Sequence, residues 1–329
     1  MIKNLEINGY KGLIDFKLDD LNQINIISGK NNVGKTALLE AISLTQYHKI
    51  IEFRQELTRI FESRDLRLAD INMFLQTMDI VLSINGKKRT IKYKNGDDLS
   101  DEEAQQVDGR YLSIEDFLVL SSIENFSIIP FFEVLEGKYL KKNKKKFIDS
   151  SKPTNIDLTN LYSYIQDLGK QDKFLEYLQI IDKNITRIEP QVRGKEQSFL
   201  RITLKNPKQS LISSELGEGT NRYIEILSVL LKNSNGIVLI DEIENGIHYT
   251  KLYDIWKAII EIVQKENIQL FVTTHDLESI EALNRASEDM QFDKISSITL
   301  ERDDDNIIYP VIRKYSSFTA TVDSGMDIR

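Results

Sequence analysis

One eight-residue segment near the N-terminus constrains the fold of this chain more than any other. Residues 29–36 read Gly-Lys-Asn-Asn-Val-Gly-Lys-Thr and match G-x-x-x-x-G-K-[ST], a loop whose backbone N–H groups cradle phosphates. The preceding residues 24–27 are mostly β-branched, which indicates a strand, and residues 37–42 have a helical pattern. A strand, a glycine-containing turn and a helix N-terminus are the parts that such a loop needs. The segment therefore predicts a nucleotide-binding α/β domain.

Individual residues of this loop have predicted roles in nucleotide binding. Gly29 and Gly34 allow the backbone to turn its N–H groups inward. Lys35 is expected to reach the β- and γ-phosphates, and Thr36 to offer its hydroxyl oxygen to Mg²⁺. The predicted nucleotide contacts are Gly29, Lys30, Asn31, Asn32, Val33, Gly34, Lys35 and Thr36. The alternative, a chance match in a glycine-bearing loop, is disfavoured because the strand and the helix are both in place.

Composition excludes several classes of protein. The 329 residues are 41% hydrophobic and 29% charged, as expected for one or two soluble domains. The absence of cysteine excludes disulfides, zinc–thiolate sites and cysteine nucleophiles. Neither a membrane span nor a secretory signal is apparent, so we expect a cytoplasmic protein with no membrane partner. The net charge of −8 argues against a uniformly basic nucleic-acid-binding surface.

Strand and helix signals divide the chain into three predicted parts. Residues 1–96 hold strand patterns and a hairpin signal at Asn85-Gly86, a pair typical of type I′ turns, and form the N-terminal part of the ATPase domain. Residues 97–184 change character and predict a mostly helical insertion. Residues 185–329 alternate apolar strands with helices, which predicts a parallel sheet in the C-terminal part of the same domain.

The predicted insertion carries six lysines within residues 138–146. A solvated helix face is the favoured interpretation of such a run. A contact surface for a protein partner or for the phosphate backbone of a nucleic acid is the alternative.

A second group of candidate residues follows two apolar strands in the C-terminal part. Residues 237–240 are Ile-Val-Leu-Ile and lead into Asp241 and Glu242, at the strand end where ligands bind in open α/β sheets. Asp241 is predicted to hold Mg²⁺, and Glu242 to polarise the water that attacks the γ-phosphate. An ordinary strand end would be the better interpretation of this pattern alone, but not beside the phosphate-binding loop. His275 follows the next apolar strand and is a candidate γ-phosphate contact, with a structural histidine as the alternative.

Taken in order, these motifs resemble those of ABC-type ATPases, in the branch that contains RecF, SMC and OLD proteins. The motifs are the phosphate-binding loop, residues 216–222 in the place of the ABC signature, Asp241-Glu242, residues 244–248 in the place of the D-loop, and Thr274-His275. The Asn31-Asn32 pair is similar to this branch rather than to transporter ATPases. The resemblance covers residues 1–95 and about 185–329. It implies a P-loop NTPase of α/β class, with an ABC-ATPase-like mixed sheet and a helical insertion.

The resemblance also implies a nucleotide site shared between two subunits. In this group the signature of one subunit covers the nucleotide of another, which gives a head-to-tail dimer around two ATP molecules. Gly217, Glu218 and Gly219 would supply backbone N–H donors at a helix N-terminus. Gly217 stands where the signature usually has serine, and Asn221 or Arg222 would compensate for the missing hydroxyl.

The site implied by the resemblance takes ATP and Mg²⁺ as cofactors. Its catalytic residues would be Glu242, His275 and Lys35, its metal ligands Thr36 and Asp241, and its signature contacts Gly217, Glu218, Gly219 and Arg222. Gln76 is a candidate for the Q-loop glutamine.

Comparable ATPases imply two functions for such a chain. One is a switch ATPase that works with a separate nuclease or toxin in defence against phage or foreign DNA. The alternative is a RecF-like repair or DNA-clamp ATPase, and direct binding of DNA or RNA stays open. A transporter ATPase is disfavoured by the altered signature. With 54 residues after His275, we expect no TOPRIM nuclease domain like that of OLD proteins. The lack of long heptads predicts no SMC-like coiled-coil arm.

Overall fold

The computed structural model describes residues 1–46, 56–57, 59–60, 79–95, 99–100, 116–122, 126–130, 146–193, 197–205 and 210–328. The strands in these ranges are β1 (Leu5–Asn8), β2 (Phe16–Leu18), β3 (Ile24–Gly29), β4 (Asp79–Ile84), β5 (Lys87–Asn95), β6 (Asp116–Ser122), β7 (Phe126–Pro130), β8 (Phe147–Ile148), β9 (Ile185–Arg193), β10 (Gln197–Leu204), β11 (Ser210–Ile212), β12 (Ile237–Ile240), β13 (Gln269–Thr273), β14 (Ile295–Arg302) and β15 (Ile308–Lys314). The helices are α1 (Lys35–Thr45), α2 (Asn155–Asp167), α3 (Gln171–Leu178), α4 (Glu218–Lys232), α5 (Tyr249–Lys265), α6 (Leu277–Asp289) and α7 (Tyr315–Asp323).

The central sheet has the strand order β15-β14-β3-β13-β12-β8. The strands from β14 to β8 run parallel, and β15 pairs with β14 in the antiparallel direction. Every residue of β3 and β13 is buried, which is typical of a parallel sheet covered on both faces. The predicted α/β class and mixed sheet are confirmed, and the phosphate-binding strand β3 lies in the interior of the sheet.

Successive residues of the central strands contribute to two different cores. Ile26 packs into the core formed with α2 to α6, whereas Ile27 packs into the core formed with α1, β1 and β2. Val238 and Leu239 on β12 divide in the same way. This alternation follows from the two-residue period of a strand. The central sheet therefore contributes side chains to both cores, one on each of its faces.

A second sheet is antiparallel throughout and has the strand order β2-β1-β4-β5-β6-β7. The predicted hairpin is confirmed, because β4 and β5 are joined at Asn85 and Gly86 with φ of 48° and 79°. Two positive φ values are the requirement of a type I′ turn.

The predicted insertion contains strands as well as helices. Helices α2 and α3 agree with the prediction, but β6 and β7 extend the antiparallel sheet and β8 joins the central one. The apolar residues of 116–122 were missed because a short apolar run does not distinguish strand from helix. A third sheet, β11-β10-β9, follows α3. The boundaries at 97 and 184 stay a prediction.

Several expectations fall outside the described residues. Gln76 and all but Lys146 of the lysine run lie there. None of the helices in the described ranges combines the length and apolar character that a membrane crossing requires.

Candidate nucleotide-binding site

The phosphate-binding loop connects the end of β3 to the first residue of α1. Gly29 and Gly34 have φ of 138° and 108°, in the region that favours glycine. A Cβ atom on Gly29 would lie 2.6 Å from the carbonyl oxygen of Leu300 on β14, so a side chain cannot be accommodated there. The loop therefore keeps its shape because the neighbouring strand approaches it closely.

The Lys35 ammonium lies folded over this loop. Its Nζ donates hydrogen bonds to the carbonyl oxygens of Gly29 at 2.7 Å and Lys30 at 3.0 Å. Burial lowers the pKa of Lys35, and the fields of Asp241, Glu242 and Glu244 act in the opposite direction. The cation is thus held at the loop by nearby negative charge and is available to an anionic ligand.

Thr36 and Asp241 meet at the carboxyl end of the central sheet. Thr36 Oγ1 donates to Asp241 Oδ2 at 2.9 Å, and Thr273 Oγ1 donates to Asp241 Oδ1 at 2.5 Å. Asp241 is 3% exposed, and burial raises its pKa although both hydroxyl hydrogen bonds lower it. A buried carboxylate beside a hydroxyl oxygen is an all-oxygen donor set that suits a hard divalent cation such as Mg²⁺. The residues present therefore fit the metal that the sequence predicts.

Glu242 has an unusual backbone conformation at the end of β12. Its φ of 51° is in the left-handed region, which is uncommon for a residue with a side chain. Its N–H donates to Thr273 Oγ1 at 2.8 Å, and its carbonyl oxygen accepts from the Asn245 N–H at 3.1 Å. Within the described part of the chain, the carboxylate has no hydrogen-bond or ion-pair partner. Backbone bonds thus hold this turn while the carboxylate is free to accept a proton.

His275 follows β13 and pairs with the D-loop segment. Both its N–H and its Nδ1 lie 3.0 Å from Oε1 of Glu244. The Glu244 side chain is 8% exposed and the His275 side chain 50% exposed. The buried carboxylate of Glu244 therefore holds the imidazole of His275, which is half exposed to solvent.

The two signature glycines have different surroundings. Gly217 caps the N-terminus of α4, is exposed, and has no atom within 4 Å of the position of an added Cβ. An added Cβ on Gly219 would lie 2.2 Å from the carbonyl oxygen of Gly246. The D-loop segment of the same chain therefore excludes a side chain at Gly219, whether or not a second subunit is present.

Arg222, a predicted signature contact, is 3% exposed. Its Nη1 donates to the carbonyl oxygen of Asp149 and to Glu225, and its Nη2 donates to the carbonyl oxygen of Asp241 at 2.5 Å. Asn221 likewise donates from Nδ2 to the Ser213 carbonyl oxygen. Both side chains are bonded within their own chain, and a contact of Arg222 with the nucleotide of another subunit stays a prediction.

The chain matches the model of a known protein family over most of its length. A family model described as "AAA domain, putative AbiEii toxin, Type IV TA system" matches residues 24–281. The chain belongs to this AAA-domain family. The match includes the phosphate-binding loop, Asp241-Glu242 and His275, so the predicted ATPase class is confirmed.

Relatives of this AAA-domain chain agree with that assignment. An "ATP/GTP phosphatase" of Helicobacter pylori is 21% identical over 94% of this chain and 95% of its own. The "DNA replication and repair protein RecF" of Caldanaerobacter subterraneus is 26% identical over 73% of this chain and 64% of its own. An SMC head crystallised with the C-winged helix domain of ScpA has a TM-score of 0.54 at 11% identity, covering 96% of this chain and 98% of that one. The resemblance to the RecF/SMC branch of ABC-type ATPases is confirmed.

Sequence reasoning missed three residues of the site in this AAA-domain chain. Thr273 holds both the Asp241 carboxylate and the Glu242 N–H, Glu244 holds His275, and Arg302 donates to the Asn32 carbonyl oxygen at 2.9 Å. The position of Thr273 at the end of an apolar strand was a usable signal. Glu244 lies in the segment that resembles the D-loop, but no local pattern indicates its contact with His275 or the contact of Arg302 with Asn32, because these partners lie far away in the sequence.

Proposed function

We propose that this chain binds ATP with Mg²⁺ and hydrolyses it as a conformational switch. The observation that carries the proposal is the convergence of Lys35, Thr36, Asp241 and Glu242 on one edge of the sheet, with Thr36 bonded to Asp241 at 2.9 Å. These groups are a cation for phosphates, two oxygens for a metal and a free carboxylate. Together they are the parts that phosphoryl transfer to water requires.

Each residue has one task in this proposal. The loop N–H groups and Lys35 bind the β- and γ-phosphates, and Thr36 and Asp241 hold the cation. Mg²⁺, when bound, supplies positive charge to the phosphate oxygens. Glu242 accepts the proton of the attacking water as the new P–O bond forms, and ADP leaves with the electrons of the broken bond. His275 contacts the γ-phosphate or the water beside it.

The nucleotide is proposed to lie between two head-to-tail copies of the chain. The support is the exposed N-terminus of α4, where Gly217 leaves the backbone open to an incoming anion. A fold shared with an SMC head is compatible with such pairing. ATP bound by both copies would stabilise the closed dimer, and hydrolysis would release it.

Glu242→Gln tests hydrolysis directly. The amide keeps the shape of the side chain but cannot accept a proton, a role worth about 10²–10⁴-fold in rate. We expect unchanged ATP binding, an ATPase rate lowered by about that factor, and an ATP-bound dimer visible by light scattering. Glu288→Gln, the same change at an exposed position of α6, is the matched control. A wild-type rate in Glu242→Gln would show that the base lies elsewhere.

We further propose that the ATPase acts in the cytoplasm with a separate nuclease or toxin in defence against phage or foreign DNA. The support is the description of the family, which names a putative AbiEii toxin and a type IV toxin–antitoxin system. The RecF relative favours the alternative, an ATPase that acts on DNA in replication or repair.

Two measurements separate these functions. A tagged chain is purified from its native host and its partners are identified by mass spectrometry. Binding of the purified chain to duplex DNA is measured with and without ATP over a salt series. A nuclease or toxin partner with no ATP-dependent DNA binding supports defence. ATP-dependent DNA binding with no such partner supports the RecF-like function and contradicts the defence role.

A further inference from the structure

Glu244 makes two contacts with the same neighbour. Its Oε1 lies 3.0 Å from the backbone nitrogen of His275 and 3.0 Å from Nδ1 of the same ring. Glu244 belongs to the D-loop segment, 31 residues before His275. The carboxylate therefore fixes both the backbone and the imidazole of a residue that ends another strand.

The chemistry of the carboxylate decides which ring nitrogen carries the proton. An ionised carboxylate only accepts hydrogen bonds, so Nδ1 must be the donor. The hydrogen bond made by one ring nitrogen sets the state of the other. Nε2 is then the ring nitrogen that remains for a nucleotide or for water.

The same segment contacts the start of the signature helix. Gly246 lies so close to Gly219 that an added Cβ on Gly219 would be 2.2 Å from its carbonyl oxygen. The Ile247 N–H donates to the Glu244 carbonyl oxygen at 2.9 Å, which ties Glu244 into this turn. The position of Glu244, and with it that of His275, is therefore fixed relative to α4.

We propose that Glu244 is a positioning residue that holds His275 as the Nδ1–H tautomer and directs Nε2 to the nucleotide. The contacts are those of the folded chain itself, whereas the effect on hydrolysis rests on the function proposed above. Glu244 itself touches no reacting atom in this proposal. Its loss would leave a histidine at position 275 with the wrong tautomer and a free ring.

The tautomer is measured first, without nucleotide. The chain has three histidines, His48, His248 and His275, so long-range ¹H–¹⁵N spectra of histidine-labelled protein resolve each ring. The spectra are taken at about pH 9, above the ordinary titration range of histidine. His275→Gln assigns the signals. We expect the Nδ1–H pattern for His275 in the wild type, and the Nε2–H pattern of a free imidazole in Glu244→Leu.

The controls separate positioning from misfolding. Glu244→Gln keeps an acceptor oxygen and is expected to retain the Nδ1–H pattern, whereas Glu281→Leu repeats the apolar change at an exposed position of α6. The ring of His248 should be unchanged in every variant. An Nε2–H pattern for His275 in the wild type overturns the proposal even if Glu244→Leu does not fold. Retention of the Nδ1–H pattern in folded Glu244→Leu also overturns it.

Kinetics then test the consequence for hydrolysis. Partners that orient a functional histidine are worth about 10–100-fold in activity at metal sites, and we expect a loss of kcat of that order in Glu244→Leu. Glu244→Gln should recover most of it. The double variant with His275→Ala should lose no more than His275→Ala alone, because the two residues act as a unit. Additive losses would overturn the positioning role, whereas a wild type without ATPase activity would refute the proposed function and leave the tautomer result standing.

Discussion

Thr36 Oγ1 donates a hydrogen bond of 2.9 Å to Asp241 Oδ2 and so joins two motifs that are 205 residues apart in the sequence. Thr273 holds the other carboxylate oxygen. Hydrogen bonds thus orient Asp241 from both sides. Pre-organisation of this kind lowers the ordering cost of ligand binding, because fewer side-chain rotamers are fixed on association.

Asp241→Asn should stabilise the nucleotide-free protein and abolish Mg²⁺-dependent hydrolysis. Burial raises the pKa of Asp241 above 3.8, so ionisation costs the folded state free energy. That cost is absent below pH 3.8 and is present once the group ionises, so the gain in unfolding temperature should grow as the pH rises above 3.8. Thermal unfolding over this range and an ATPase assay measure both effects. A gain that is equal at every pH would contradict the electrostatic origin.

Lys35→Ala should abolish ATP binding, because it removes the charge that meets the β- and γ-phosphates. Nζ is bonded to the carbonyl oxygens of Gly29 and Lys30 in the folded loop. Titration calorimetry with Mg²⁺-ATP measures the affinity, and Lys294→Ala, at an exposed position just before β14, is the charge-matched control. Near-normal affinity in Lys35→Ala would contradict the assignment of the loop.

Alanine should lower the stability of the protein at one signature glycine and leave it nearly unchanged at the other. Gly219→Ala places a Cβ 2.2 Å from a backbone oxygen, and such overpacking costs about 1–3 kcal/mol. Gly217→Ala meets no atom within 4 Å and should leave the free energy of unfolding nearly unchanged. Urea unfolding of the two variants compares them directly. Equal stabilities would mean that the Gly219–Gly246 contact is not formed in solution.

Gly217 is consequently the position at which the shared site can be tested. Gly217→Asp should fold, bind ATP through its own Lys35, and fail to hydrolyse it, since a carboxylate would oppose the partner's phosphate. Mixed with Lys35→Ala, it gives a dimer with one doubly defective site and one intact site. We expect the ATPase activity to return in part on mixing. No recovery in a proven mixed dimer would argue against a site shared in this way.

Arg222→Met should destabilise the protein by about 3–5 kcal/mol, the usual effect of breaking a buried charged network. The arginine on α4 donates to the carbonyl oxygen of Asp241 and pairs with Glu225 of the same helix. Arg222→Lys keeps the charge but lacks the planar fork that reaches several acceptors, so an intermediate loss is expected. Chemical denaturation measures the series. An unchanged free energy of unfolding in Arg222→Met would show that these hydrogen bonds do not stabilise the fold.

Asp276→Asn should stabilise the protein increasingly above acid pH. Burial raises the pKa of Asp276 from 3.8 to about 6, with repulsion from Glu278 adding to it. The free-energy cost of ionising Asp276 in the folded state is absent below pH 3.8 and complete above about pH 6. Asparagine can still cap the N-terminus of α6. The unfolding temperature of Asp276→Asn should therefore rise above that of the wild type as the pH increases from 3.8 to about 6. Asp293→Asn, a change at an exposed position, is expected to show no pH-dependent difference in unfolding temperature.

Local patterns were sufficient for the elements that carry the site. The phosphate-binding loop, the strand before Asp241 and the hairpin at Asn85-Gly86 were predicted because each depends on neighbours within a few residues. Strands β6 and β7 were not, because their apolar residues have no period that distinguishes them from helix.

By itself the sequence determined which residues supply charge and metal-binding oxygens, Lys35, Thr36, Asp241 and Glu242, since the chemistry of each is its own. Only the tertiary structure decided what holds them. The order of β3, β13 and β12 in the sheet brings Thr273 against Asp241. The packing of α4 buries Arg222 against the carbonyl oxygens of Asp149 and Asp241, and its contact with the D-loop excludes a side chain at Gly219. These contacts join residues far apart in the chain, and no local pattern specifies which strands and helices become neighbours.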